Sequence, residues 1–138
     1  MNTRFLTSAI AVAALTVGWL APVAAHHSFA AEFDGGKPIT LKGVVTQIDW
    51  ANPHVWFYIK VTEEGSPTIR WACEMGAPHQ LQGRGWLRDT MKVGDTVTVA
   101  GSLARDGSRR ANARLVTTAD GKTLGAASSG DPTATPRQ

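Results

Sequence analysis

Imidazole is the side chain in this sequence best suited to chemistry near neutral pH, as a metal ligand or as a base. There are four histidines, His26, His27, His54 and His79, and each falls beside an expected turn or terminus rather than inside a strand. His26 and His27 follow "APVAA" directly, where an export signal would be cut. A new N-terminal histidine offers its amine and its ring to one ion, a chelate that suits Cu(II), and imidazole also suits Zn(II). His54 closes the turn Asn52-Pro53-His54. Asn and Pro are explained by turn geometry, whereas the histidine is not. His26, His27 and His54 are therefore candidate ligands for copper or zinc, with His79 as an optional fourth. The spacing carries no HExxH, His-x-His or CxxC signature.

Other reactive groups point less clearly. Cys73 and Met75 have the side chains of a blue-copper centre, but no His and Met follow the cysteine closely, and a core thiol is the expected role. Asp34, Asp49 and Glu74 are candidate acids or bases for a histidine, although no spacing singles out a pair. A hydrolase or isomerase with His54 as base would require a carboxylate within its hydrogen-bond reach. Arg105, Arg109, Arg110 and Arg114 cluster around the last expected hairpin and are read as solvated turn charges, with an anionic envelope polymer as the other possibility.

The compartment follows from the first residues. Met1 to Arg4 give a short positive start, Phe5 to Leu20 form an apolar run, and Val23-Ala24-Ala25 supplies small residues before a cut. Residues 1–25 are predicted to be a signal peptide, with a cut after Ala24 as second choice. No later apolar stretch is long enough for a membrane span. The processed product is expected to be periplasmic or secreted. Of the charged groups the leader holds only Arg4, so the net charge falls from +3 to an excess of two positive groups, too small to imply nucleic acid. One cysteine allows no internal disulfide, so packing alone must hold the fold.

Five strands and one short helix must position these residues. Ile39 to Trp50, His54 to Thr62, Pro67 to Met75, Thr96 to Leu103 and Arg110 to Thr118 are rich in β-branched and aromatic residues and bounded by turn residues. Ala77 to Gln82, with Pro78 at a first helical position and Gly83 and Gly85 after it, predicts one or two helical turns. The order predicts an all-β domain over 26–124, a small five-stranded OB-fold-like Greek-key barrel, with a small sandwich as the alternative. Alternation sends Val55, Phe57, Ile59 and Val61 inward, with Ile69, Trp71, Cys73 and Met75, and then Val97, Val99 and Leu103. Residues 125–138 are small, polar and without apolar periodicity, and are expected to be a disordered tail.

Strand two turns His54, Trp56, Tyr58 and Lys60 outward. Trp56 and Tyr58 are either a binding platform or are covered by Ser28 to Phe33 or by the region around Trp86. With "HHSFAAEFD", "GVVTQIDWANPHVWFYIKV", "GAPHQLQGRGW" and "KVGDTVTVAGSLARDGS" in view, the chain resembles a family of small exported bacterial proteins known as a domain of unknown function. The likeness runs from His26 to about Leu124 and implies a signal peptide and a small barrel, with no activity attached. More loosely the chain resembles exported OB-fold proteins that bind small ligands. The sequence thus suggests a non-enzymatic binding protein holding a transition metal. The alternative is an envelope-protein adaptor or small-ligand binder that uses Trp56 and Tyr58.

Overall fold

The computed structural model describes residues 29–62, 64–128 and 130–131; the expected leader, His26 and His27 lie outside the described residues. A four-residue helix, α1 (Phe29–Glu32), leads into β1 (Phe33–Asp49). There follow β2 (Trp56–Val61), β3 (Ile69–Glu74), α2 (Pro78–Gln82), β4 (Thr96–Ala104), β5 (Arg110–Thr117) and β6 (Thr123–Gly125). Neighbouring strands run β3-β2-β1-β4-β5-β6, all antiparallel, and β3 also pairs with β5 in parallel. The domain is all-β with short helices, and its first five strands close into a hydrogen-bonded ring. Among the described residues no helix is long and apolar enough to cross a membrane.

The ring closes because β1 is long enough to serve two partners. Phe33 to Val44 pair with β4, and Val44 to Asp49 pair with β2. Gly43 sits at the handover, where an added Cβ would lie 2.5 Å from the Lys60 carbonyl oxygen. A side chain there would push the two strands apart. β1 starts earlier than expected, because Gly35-Gly36-Lys37-Pro38 looks like a loop in sequence. The pairing with β4 does skip from Asp34 to Pro38, an irregularity that accommodates a proline.

Alternation reads the interior correctly. Val55, Phe57, Ile59, Val61, Trp71, Cys73, Met75, Val97 and Val99 are all buried. Leu103 lies beyond a register shift at Ala100 and Gly101, and is half-buried against the same core. Leu81 and Trp86 close one end of the ring, and the Trp86 indole N–H donates to the Gly125 carbonyl at 2.8 Å.

The expectation of disorder from residue 125 is corrected as far as Asp131. Gly125 ends β6, and Ala126, Ala127, Ser128 and Asp131 are buried. Ala126 bridges two elements: its N–H donates to the Arg114 carbonyl, and its own carbonyl accepts from Gly76 N–H, each at 2.8 Å. Two methyl side chains fit this narrow slot, a fit that leaves no periodic apolar signal in the sequence.

Candidate functional site

The turn Asn52-Pro53, joined by a cis peptide, delivers His54 to the end of β2. Facing it is Glu74, the last residue of β3. Alternation turns Glu74 out of the core, and the hairpin sets it opposite Trp56. His54 Nδ1 and Glu74 Oε1 are 2.6 Å apart, with the imidazole about a quarter exposed and the carboxyl almost wholly buried. Burial pushes the Glu74 carboxyl up to about 7. The Glu32 carboxylate nearby raises it further, and the Arg110 guanidinium pulls the other way. A carboxyl that protonates near neutrality, in contact with an imidazole, makes a pair that can share one proton. Glu74 engages Nδ1, a contact that orients the ring and biases which tautomer it adopts.

The two ends of the described chain cover this pair. Phe29 and Phe33 form a small cluster with Ala104, and Trp56 packs against it. Gly130 also comes against Phe29. Asn112, the β5 neighbour of Glu74, is buried and donates through Nδ2 to Ser128 Oγ at 2.8 Å. Arg110 reaches Glu32 at 3.3 Å and Asp106 at 2.9 Å, and Arg114 reaches Asp131 at 3.7 Å and Ser102 at 3.2 Å. Arg105 Nε donates to the Ala30 carbonyl and its Nη1 lies 3.6 Å from Asp34. Three of the four arginines read as solvated turn charges therefore tie the covering segments to β4 and β5.

The structure brings together some of the expected site residues and separates others. Trp56 and Tyr58 do lie on the outer face of β2, but both rings have company. Trp56 is half-buried against the Phe29 and Phe33 cluster, and the Arg70 guanidinium stands 4.2 Å from the centre of the Tyr58 ring. Arg70 is held there by Gln47, itself bonded to Asp49. His79 is exposed on α2. No group of three or more His, Cys, Asp or Glu side chains suited to a metal occurs among the described residues. His26 and His27 fall outside them. Cys73 is a core thiol, fully buried, with its pKa pushed up to about 12 by that burial.

Sequence reasoning left Glu74 without a partner. A usable signal was present: a hairpin turning about Gly65, which has φ of 77°, sets Trp56 opposite Glu74 and brings His54 to the same end. It also passed over a cleft of about 650 Å³ at the other end of β2. Leu41, Val61 and Trp71 contribute to it from the core, and Lys37, Arg105 and Arg109 contribute the charges.

Neither the curated proteins nor the solved structures contain a match to this chain. The family model described as "Family of unknown function (DUF6152)" matches residues 14–113, most of the sequence, and the chain belongs to that family.

Proposed function

We propose that the chain is an exported, periplasmic binding protein, without catalytic activity, that holds a divalent transition ion, Cu(II) or Zn(II). His54 and the twin imidazoles His26 and His27 are the ligands, and His79 is an optional fourth. In this reading the leader is removed after Ala25, and the ring of strands is an OB-fold-like Greek-key barrel. The strand order, with β3 meeting β5 in parallel, supports the barrel.

The observation that carries the reading is the 2.6 Å contact between His54 and the buried Glu74. Metal-binding imidazoles are commonly oriented by a carboxylate on the second ring nitrogen, which fixes the tautomer and raises basicity, and Glu74 takes that role once it has lost its proton, from about pH 7 upward. Chain reach adds support. His54 lies two residues before Trp56, the first residue of β2, and Trp56 packs on the same cluster as Phe29. Three residues of extended chain span about 10 Å, so His26 lies within about 10 Å of Phe29 along the chain. The adaptor reading through Trp56 and Tyr58 draws less support, because Phe29 and Arg70 occupy those rings.

The test is a calorimetric titration of the processed protein with Cu(II) and Zn(II), after mass spectrometry of its first residue. Binding tighter than about 10 micromolar is expected, with loss on His54→Ala or His27→Ala and a roughly 10- to 100-fold weakening on Glu74→Ala. Affinity unchanged by His54→Ala and His27→Ala ends the reading. The same pair also has the geometry of an oriented general base. That second reading gains if turnover of an ester or epimerisable substrate disappears in His54→Ala without any metal being bound.

A further inference from the structure

We propose that the cleft at the far end of β2 binds a small amphipathic carboxylate, an acyl chain whose acid group sits at the rim between Lys37 and Arg109. The cleft lies where the β2–β3 and β4–β5 turns face the first half of β1, and its volume of about 650 Å³ is that of a small-molecule site. The apolar side chains that reach it are mostly aliphatic: Ile39, Ile69 and Leu103 are half-buried, Leu41, Val61 and Trp71 are buried, and polar Thr40, Ser66 and Ser108 share the lining. Such walls suit a saturated chain. They give a nucleic acid little to stack on, since the Trp71 ring is buried and already carries Arg109.

Charge decides the head group. No acidic residue lines the cleft, whereas Lys37, Arg105 and Arg109 do. Arg105 is engaged by Asp34 and the Ala30 carbonyl, and the nearby Asp106 is turned to Arg110. Lys37 and Arg109 are exposed, and neither has a carboxylate partner among the described residues. Arg109 is also held in place: its carbonyl accepts from Ala72 N–H at 3.0 Å, and its guanidinium carbon lies 5.5 Å from the Trp71 ring centre. A guanidinium held beside apolar side chains, with an ammonium in the same lining, favours one carboxylate on an apolar tail and disfavours a cation.

The experiment titrates the processed protein with decanoate, decan-1-ol, decyltrimethylammonium and a short single-stranded oligonucleotide. Decanoate is expected to bind saturably, one per chain, with Kd below about 100 micromolar and at least about tenfold tighter than the alcohol or the cation. Arg109→Glu and Lys37→Glu change exposed side chains, and each is expected to weaken decanoate about tenfold or more, with the melting temperature unchanged for Lys37→Glu and lowered by only a few degrees for Arg109→Glu, which gives up its contact with Trp71. Equal affinity for decan-1-ol, tighter binding of the oligonucleotide, or indifference to both charge reversals overturns the proposal. The His54→Ala protein should bind decanoate as the parent does, so this result stands or falls apart from the metal reading; loss of decanoate in that variant would also overturn it.

Discussion

Glu74→Gln keeps the shape of the side chain, can still accept a hydrogen bond from His54, and cannot ionise. In the folded protein the carboxyl titrates at about 7, against 4.5 for an ordinary glutamate. Between those values the unfolded chain has lost a proton that the folded chain keeps, so the folded state loses stability as pH rises through this window and levels off above about 7. At 1.36 kcal/mol per pKa unit, a shift from 4.5 to about 7 is worth about 3 kcal/mol. The titration belongs to the Glu74 and His54 pair, with Glu32 and Arg110 alongside, so the quantity to measure is the difference between parent and variant. The depressed carboxyls do not interfere. Asp106, lowered to about 2, and Asp120, also lowered, stabilise the fold above their ordinary 3.8 and lose that effect only in more acidic solution. Urea unfolding followed by tryptophan fluorescence, at pH 4.5 and 8 with chelator present, provides the assay. From the lower to the higher pH the parent should lose about 3 kcal/mol more than Glu74→Gln. Parallel pH profiles, or a steeper loss in the variant, would refute the account of a carboxyl held protonated by burial.

Three other perturbations probe the frame. A Cβ at Gly101 would run into the Asn112 carbonyl oxygen across the β4–β5 pairing, so Gly101→Ala should cost about 3 kcal/mol or more, read as a lowered melting temperature or loss of soluble protein. Ala126→Asp places a charge in the fully buried slot between Arg114 and Gly76 and should destabilise by at least about 3 kcal/mol, whereas a dispensable tail would show no change. Cys73, buried and with its thiol pushed up to about 12, should react with a disulfide reagent at pH 8 only as fast as the protein unfolds, and at once in denaturant.

Alternation made strands β2 to β5 and their inward faces legible, because a period of two with one buried side leaves little freedom of register. β6, the early start of β1 and the packed segment after Gly125 were not legible. β6 is three residues with one buried leucine, the start of β1 is interrupted by Gly35-Gly36-Lys37-Pro38, and the last segment is built of alanine and short polar residues, so none is long or regular enough to leave a periodicity. The histidines drew attention as residue types, and His54 repaid it with a partner. Its partner did not stand out, because a glutamate twenty residues away becomes relevant only once the hairpin register is known. The aromatic platform was half legible. Outward direction follows from sequence, but cover by Phe29 and Arg70 depends on how the chain returns across the face.

The position of the buried polar groups follows from how the ring closes. β3 and β5 meet over three residue pairs, Ala72 with Arg110, Cys73 with Ala111 and Glu74 with Asn112, whereas β1 and β4 pair over most of their length. Of the three, only the middle pair faces the core. The outer pairs place Arg110, Glu74 and Asn112 on the outside of the shortest contact in the ring, where the first and last of the described residues come to lie. Once α1 and the segment after β6 cover that contact, these polar groups must find partners or remain neutral. Arg110 finds Glu32 and Asp106, Asn112 finds Ser128, and Glu74 stays largely protonated up to about pH 7 beside His54. Well-packed apolar side chains commonly replace a buried polar pair at little cost, so stability alone is a weak reason for the chain to keep one. Glu74→Leu with His54→Phe separates the two roles: retained stability with lost metal binding assigns the pair to function, and collapse of the fold assigns it to closing the ring.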